Sequence, residues 1–345
     1  MRTAIVFFNL GGPDRPEAVE PFLFNLFDDP AIIRIPWPLR GWLARFIAKR
    51  RGPKARAIYA QIGGGSPLLP NTLAQIRAVE SELTDLGAVR GFPAMRYWHP
   101  MSAEVARDVQ AWKPDRIVLL PLYPQFSTTT TASSLAAWHE AARAQGLATK
   151  TTTLCCYPAQ SGLIAAIAAL TREGVTVAQG HGRPRILFSA HGLPEKIVAA
   201  GDPYQWQVER TAEAVMAQLP GLEADWIVCY QSRVGPLKWI GPSTEAEIAR
   251  AGADRVPLVV VPIAFVSEHS ETLVELDIEY AERAVHAGVP HYVRVPTVST
   301  HPAFIAGLAA LIREALQRDD DAARPTGGTR LCPAKFVGCP CRGGT

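Results

Sequence analysis

Glu271, Glu275 and Glu279 recur every four residues in the stretch Ser267-Glu-His-Ser-Glu-Thr-Leu-Val-Glu-Leu-Asp-Ile-Glu279. On an α-helix that interval stacks three carboxylates on one face, a turn apart. Stacked carboxylates repel, and protons or a cation relieve the repulsion. Oxygen ligands in a row suit a hard or borderline divalent cation, with imidazole from His191 at the end of the line. The plain alternative is a solvated acidic face at a helix start, where the macrodipole favours anions. The position of the ladder, directly after the apolar run Leu258–Phe265, argues for the metal. His191 ends a similar run, Arg185–Ala190, and Gly192 and Pro194 mark a sharp turn that would project its imidazole. Arg96 follows Met95 and suits an anionic ligand group. The hydroxyl-rich turn Tyr123-Pro-Gln-Phe-Ser-Thr-Thr-Thr-Thr131 fits either a helix cap or a partner for a carboxylate.

The elements behind these residues form an internal duplication. Ala4–Leu10 matches Arg185–Pro194, Met95–His99 matches Trp226–Gln231, and Ile117–Tyr123 matches Leu258–Phe265. Thr153–Tyr157 with the helical run 163–170 matches Tyr292–Thr297 with 304–312. Continuous apolar strands alternating with helices predict an α/β protein of two similar Rossmann-like domains, each a parallel four-stranded sheet flanked by helices. The expected division is 1–172, 173–318 and a tail 319–345, with the glycine-rich stretch 172–184 between the halves. Ligands in such folds sit beyond the carboxyl ends of the strands, which is where the reactive residues fall.

Composition narrows the functional classes. With 345 residues, 48% hydrophobic and 19% charged, the chain resembles an ordinary soluble protein, and a net charge of +3 gives no footprint for nucleic acid. The opening apolar run breaks at Gly11-Gly12-Pro13, too soon for a signal peptide. Two charge-free stretches, Ile117–Trp138 and Thr151–Thr171, are broken by prolines or polar residues and read as strand–loop–helix units, so a cytoplasmic protein is expected. Residues 30–52 set Trp37, Trp42, Leu43, Phe46 and Ile47 beside Arg45, Lys49, Arg50 and Arg51. A lip over a pocket and peripheral contact with a membrane both fit that pattern.

Leu10–Pro13, Gln61–Pro67, Tyr123–Ser127, Phe188–Pro194, Tyr230–Pro236 and Pro262–Asp277 together resemble the ferrochelatases, in the right order over residues 1–316. The resemblance implies two chelatase-type domains that clamp a porphyrin and insert ferrous iron, the metal being substrate. It implies that His191 and Glu271 are the catalytic pair and that His269, Glu275 and Glu279 extend an iron path. It further implies porphyrin contacts from Arg51, Tyr59, Ser66, Arg96, Tyr123, Tyr204 and Trp239, and an apolar bed from Leu10, Leu26 and Ile32. Protoporphyrin and coproporphyrin both remain open as substrate, and the sequence does not fix the oligomeric state. Two rivals stand beside this reading: a cobalt or nickel chelatase of the same fold, and a bilobal tetrapyrrole-binding protein without catalysis.

Cys332, Cys339 and Cys341 crowd the tail, and a reducing compartment makes metal a better explanation than disulfides. Structural zinc and an iron–sulfur cluster both accept four thiolates. The resemblance favours a [2Fe–2S] cluster held by the three tail cysteines and one internal cysteine. Thr128 stands where animal members place that cysteine, which leaves Cys155 or Cys156. If these two continue the strand, they point to opposite faces and only one ligates. Cys229, inside an apolar run, reads as core.

Overall fold

The structure, a computed structural model, describes residues 1–222, 224–233 and 237–341. Val234–Pro236, the end of one block quoted above, and residues 342–345 at the end of the tail lie outside the described residues. The chain forms two compact units. The first contains Met1–Cys156, Ala309–Arg330 and, among the described residues, Pro340 and Cys341; the second contains Tyr157–Leu308 and Leu331–Cys339.

In the first unit β1 (Arg2–Asn9) leads to α1 (Val19–Phe27), α2 (Trp37–Ala60) and α3 (Leu68–Glu82). Then follow β2 (Ala88–Met95), α4 (Ser102–Trp112), β3 (Arg116–Pro121), α5 (Thr131–Ala144) and β4 (Thr151–Leu154). The second unit opens with α6 (Ser161–Gln179), β5 (Arg185–His191), α7 (Glu195–Ala199), α8 (Tyr204–Ala217) and β6 (Asp225–Gln231). It continues through α9 (Thr244–Asp254), β7 (Leu258–Pro262), a π-helical segment (Glu271–Glu279), α10 (Tyr280–Ala287) and β8 (Tyr292–Arg294). Helix α11 (Pro302–Gln317) begins in the second unit and ends in the first, and β9 (Ala323–Arg324) follows it.

Both sheets are parallel. The first runs β2-β1-β3-β4-β9 and the second β6-β5-β7-β8. Apart from β9, the order is the same in both, which is the duplication read from the sequence. The central strands are apolar throughout because helices cover both their faces. Ala4 to Phe8 of β1 and Ile186 to Phe188 of β5 are all at most 1% exposed. Around β1 and β3 a core forms from Val6, Phe8, Ile117, Leu119 and Trp138. Around β5 and β7 another forms from Leu187, Val260, Ile248, Leu276 and Tyr280.

Three local expectations are revised. The strand near Met95 occupies Ala88–Met95, and Arg96–His99 follow it; Gly91 and Pro93 had disguised the run. The first sheet gains β9 as a fifth strand on β4. The units divide at 156/157 rather than in the glycine-rich stretch 172–184. Helix α6 belongs with the second unit because Gly174 lets it settle on the sheet, where an added Cβ would lie 2.9 Å from Val295 Cγ2 and 3.2 Å from Val259 Cγ1. Among the described residues α6 is the one helix long and apolar enough to cross a membrane, and half of its most apolar stretch is buried in the protein.

Candidate active site

Strand β5 ends on His191, whose Nδ1 bonds to the carbonyl of Gly192 at 2.7 Å. Nδ1 must donate to a carbonyl, so the neutral ring keeps its lone pair on Nε2. That atom lies 3.5 Å from Oε1 of Glu271. Gly192 suits the turn because an added Cβ would sit 3.0 Å from Gln231 O and 3.3 Å from the Trp239 ring.

His269 mirrors this arrangement. Its Nδ1 bonds to Ser267 O at 3.0 Å, and its Nε2 lies 3.5 Å from the other Glu271 oxygen, Oε2. Thr272 Oγ1 accepts its backbone N–H at 3.0 Å. The Glu271 carboxylate thus has an imidazole Nε2 beside each of its oxygens. Burial pushes the carboxyl up, but His191 and His269 together hold it down to about 2. It is ionised across the physiological range. Burial pulls the His269 imidazole down, but the Glu271 carboxylate raises it above its ordinary value.

The ladder departs from the α-helical expectation. Glu271–Glu279 is π-helical, and Tyr280 N–H donates to Glu275 O, a bond of i→i+5 type. In that geometry a step of four residues falls a little short of a turn, where in an α-helix it slightly overshoots one, so the carboxylates still lie near one face and drift in the opposite sense. Glu275 is turned to other partners. It accepts from Ser232 N–H at 2.8 Å, from the Ser232 hydroxyl, from Gln231 Nε2 at 3.0 Å and from Tyr280 at 3.0 Å. Burial first, and then the Glu271 charge, raise its carboxyl above the usual range. Glu279 is exposed.

Tyr204, at the start of α8, lies close enough to feel the Glu271 charge, and burial pushes its phenol up. Trp239 bridges to Pro194 in the loop after His191. The sequence reading passed over Gln231, Ser232 and Arg294. Gln231 and Ser232 belong to the Tyr230–Pro236 motif and so carried a signal; Arg294, in the short β8, carried none.

The remaining candidates lie in the first unit. Leu10, Leu26 and Ile32 pack on one apolar cluster with Tyr59, Phe22 and Trp98. Ser66 N–H donates to Pro13 O at 2.7 Å, and a Cβ on Gly12 would strike the Ser66 side chain at 2.5 Å. Arg51 sits over the Phe27 ring at 5.5 Å. Arg96 is already paired: Nη2 meets Asp29 at 2.9 Å, and Nε donates to Ser133 Oγ at 2.6 Å. Asp29, 3% exposed, also accepts from Tyr97 and Ser133. The hydroxyls of Tyr123 and Ser134 are buried without a hydrogen bond of normal geometry.

The cysteines differ from expectation at one point. Cys155 and Cys156 have sulfurs 3.6 Å apart and do not face opposite ways. Alternation holds only in an extended strand, and β4 stops at Leu154. All six cysteines are buried and none forms a disulfide. Cys229 is core, with Thr244 Oγ1 3.3 Å away and its thiol pushed up to about 12 by burial. Among the described residues no group of three or more His, Cys, Asp or Glu is placed to hold a metal ion. Two open clefts of about 580 and 530 Å³ lie away from the ladder, one at Arg183, Arg185 and Trp226, the other at His139, Lys150 and Asp319.

Known proteins resemble this chain throughout its length. The family model described as Ferrochelatase matches residues 2–316. A protein named Ferrochelatase from Caulobacter vibrioides is 54% identical over 346 residues, 99% of this chain and 98% of that one. Another from Phenylobacterium zucineum is 54% identical over 348 residues, 100% of this chain and 99% of that one. Among solved structures, SirB from Bacillus subtilis with Fe3+ aligns over 91% of this chain and 96% of its own, with a TM-score of 0.54 and 11% identity. That likeness concerns the fold.

Proposed function

The chain belongs to the ferrochelatase family and inserts ferrous iron into a porphyrin to form haem, and from that premise we propose that His191 removes the pyrrole protons while Glu271 supplies the fixed negative charge. One observation carries this reading: an ionised carboxylate with the Nε2 of an imidazole 3.5 Å from each of its oxygens. Insertion must take two protons off the macrocycle and strip water from Fe2+. His191 Nε2 is free to accept a proton because Nδ1 is committed to Gly192 O. Glu271, whose carboxyl the charged imidazoles hold below its usual range, acts as a charge that stabilises the imidazolium formed when His191 takes a proton, and it attracts the metal. Glu275, raised above the usual range, suits the passing of protons outward. The buried hydroxyls of Tyr123 and Ser134, near Arg96, suit a porphyrin carboxylate. Purified protein should form haem from anaerobic Fe2+ and either protoporphyrin or coproporphyrin, followed by absorbance. Turnover near the wild-type rate in His191→Ala would remove the assignment of the base.

A [2Fe–2S] cluster on Cys332, Cys339, Cys341 and one of Cys155 and Cys156 belongs to the same proposal. What supports it is donor type alone: the five are buried cysteines, at most 4% exposed, with Gln207 Nε2 donating to Cys332 Sγ at 3.1 Å, although among the described residues they are not gathered into one metal-holding group. Bound there, the cluster would staple the tail and take no part in chelation. Iron and acid-labile sulfide analysis of anaerobically purified wild type and Ser variants tests it; a colourless protein with zinc refutes it.

A cytoplasmic protein with peripheral membrane contact is the reading favoured by α2. Trp37, Trp42 and Phe46 are 72, 69 and 52% exposed, and Trp42 stacks on Phe46. The helix carries seven Lys and Arg and no acidic residue, which complements an anionic surface.

A further inference from the structure

The segment bearing His269, Glu271 and Glu275 is gripped at both ends by one side chain. Arg294, at the end of β8, donates through Nε to Asp277 Oδ1 at 2.5 Å and through Nη2 to Asp277 Oδ2. Its Nη1 donates to Glu268 Oε1 at 2.6 Å. Glu268 immediately precedes His269, and Asp277 lies two residues beyond Glu275, so these bonds bracket all three. The same strand adds a third hold, because Tyr292 donates its hydroxyl to Leu276 O at 2.7 Å. Tyr292 and Arg294 are two residues apart on a strand and therefore face the same side. Glu268 Oε1 also accepts Thr297 N–H at 2.9 Å, which fastens the loop after β8 to the same point.

Water does little of this work. The side chains of Arg294, Glu268 and Asp277 are only 12, 22 and 32% exposed. A π-helix is an uncommon state of the backbone that appears mostly as a single turn within α-helices. Here it extends over nine residues, so restraint from outside the segment is needed to hold its register. A guanidinium is suited to that role because its planar fork engages both oxygens of one carboxylate and still reaches another; an ammonium is a point charge without that fork.

We propose that Arg294 is a positioning residue for the metal: by clamping Glu268 and Asp277 it fixes the register of the π-helical segment and so holds Glu271 between the Nε2 atoms of His191 and His269. The inference rests on the reading that these three residues handle iron and protons. Arg294 acts through them and meets neither substrate. Misplacement of such a group by about 1 Å costs on the order of a hundredfold in rate.

The test measures kcat, KM for Fe2+, KM for porphyrin and thermal melting on wild type, Arg294→Lys, Asp277→Asn and His191→Ala. Arg294→Lys keeps the charge and loses the fork. It should lower kcat/KM for Fe2+ by roughly 10- to 100-fold while KM for porphyrin stays within about twofold. Asp277→Asn, which spares the bond to Glu268, should move the same constants in the same direction by less. Wild-type iron kinetics in Arg294→Lys, or equal changes in both KM values, would overturn the clamp. Should Arg294→Lys fail to fold, the same split in Asp277→Asn decides. Undiminished turnover in His191→Ala would instead remove the underlying site, and the clamp with it; that outcome is distinguishable because it does not depend on Arg294.

Discussion

At the scale of the residue, Glu271 and its two imidazoles set the expected behaviour. His191→Ala should lose insertion by about 10²–10⁴-fold while retaining porphyrin binding, since only the proton acceptor is removed; haem formation and porphyrin fluorescence titration measure the two separately. Glu271→Gln should be similarly damaging. Glu279→Gln should stay within about fivefold of wild type, as expected for an exposed charge worth under ~1 kcal/mol. A series in which Glu279→Gln is the more severe would reverse the direction of the ladder. The His269 imidazole offers a pH test. Its value is raised by Glu271 against the opposing effect of burial. A raised basic group contributes stability that is present in full below the unfolded value and is lost as pH rises through the folded one. Glu271→Gln should therefore move the His269 titration to lower pH and flatten the loss of stability across that window. NMR titration of the ring protons, with melting curves on either side, would show it.

The element scale is governed by close approach. Helix α6 and the start of α11 meet at two glycines. A Cβ on Gly162 would stand 2.2 Å from Ala303 O, and one on Gly307 would strike the Gln160 side chain at 2.3 Å. Gln160 itself caps α6, its Oε1 accepting from Leu163 N–H at 2.8 Å. Because the obstacle at Gly162 is backbone, Gly162→Ala should cost about 1–3 kcal/mol, seen as a lower denaturation midpoint. The gain in helix propensity, of roughly 1 kcal/mol at most, does not offset it. The carboxylate ladder shows what periodicity leaves open. A spacing of four residues indicates a helix, but the choice between i→i+4 and i→i+5 bonding depends on contacts from β6 and β8. Gln231 Nε2 donates to Glu271 O at 3.0 Å, and Arg294 holds Asp277. These partners lie 40 and 17 residues from the groups they hold.

For the whole molecule, the surface of α2 makes the clearest prediction. The protein should cosediment with vesicles containing anionic phospholipid and much less with neutral ones, and added salt should weaken the binding. Trp42→Glu should reduce it without changing the melting temperature, because Trp42 is 69% exposed and contributes little to the fold. Equal binding to neutral and anionic vesicles, or none to either, would leave α2 as a lip alone.

Much of this protein was legible in its residues. Buried parallel strands carry a continuous apolar signal, so β1, β3, β5 and β7 and the duplicated order of the two sheets followed from composition along the chain. His191 stood out at the end of one apolar run and Glu271 shortly after another, and the structure brings their side chains to 3.5 Å of each other. Burial and charge pairing were not legible. That Arg96 is neutralised by Asp29, 67 residues away, depends on where two chain segments meet. The π-helical turn, the adjacent sulfurs of Cys155 and Cys156, and the clamp at Arg294 have the same origin. Local propensity amounts to tenths of a kcal/mol per residue, whereas a buried charge left without its partner costs several. The amino-acid sequence determined which groups are present and in what order, and the tertiary contacts decided which of them meet.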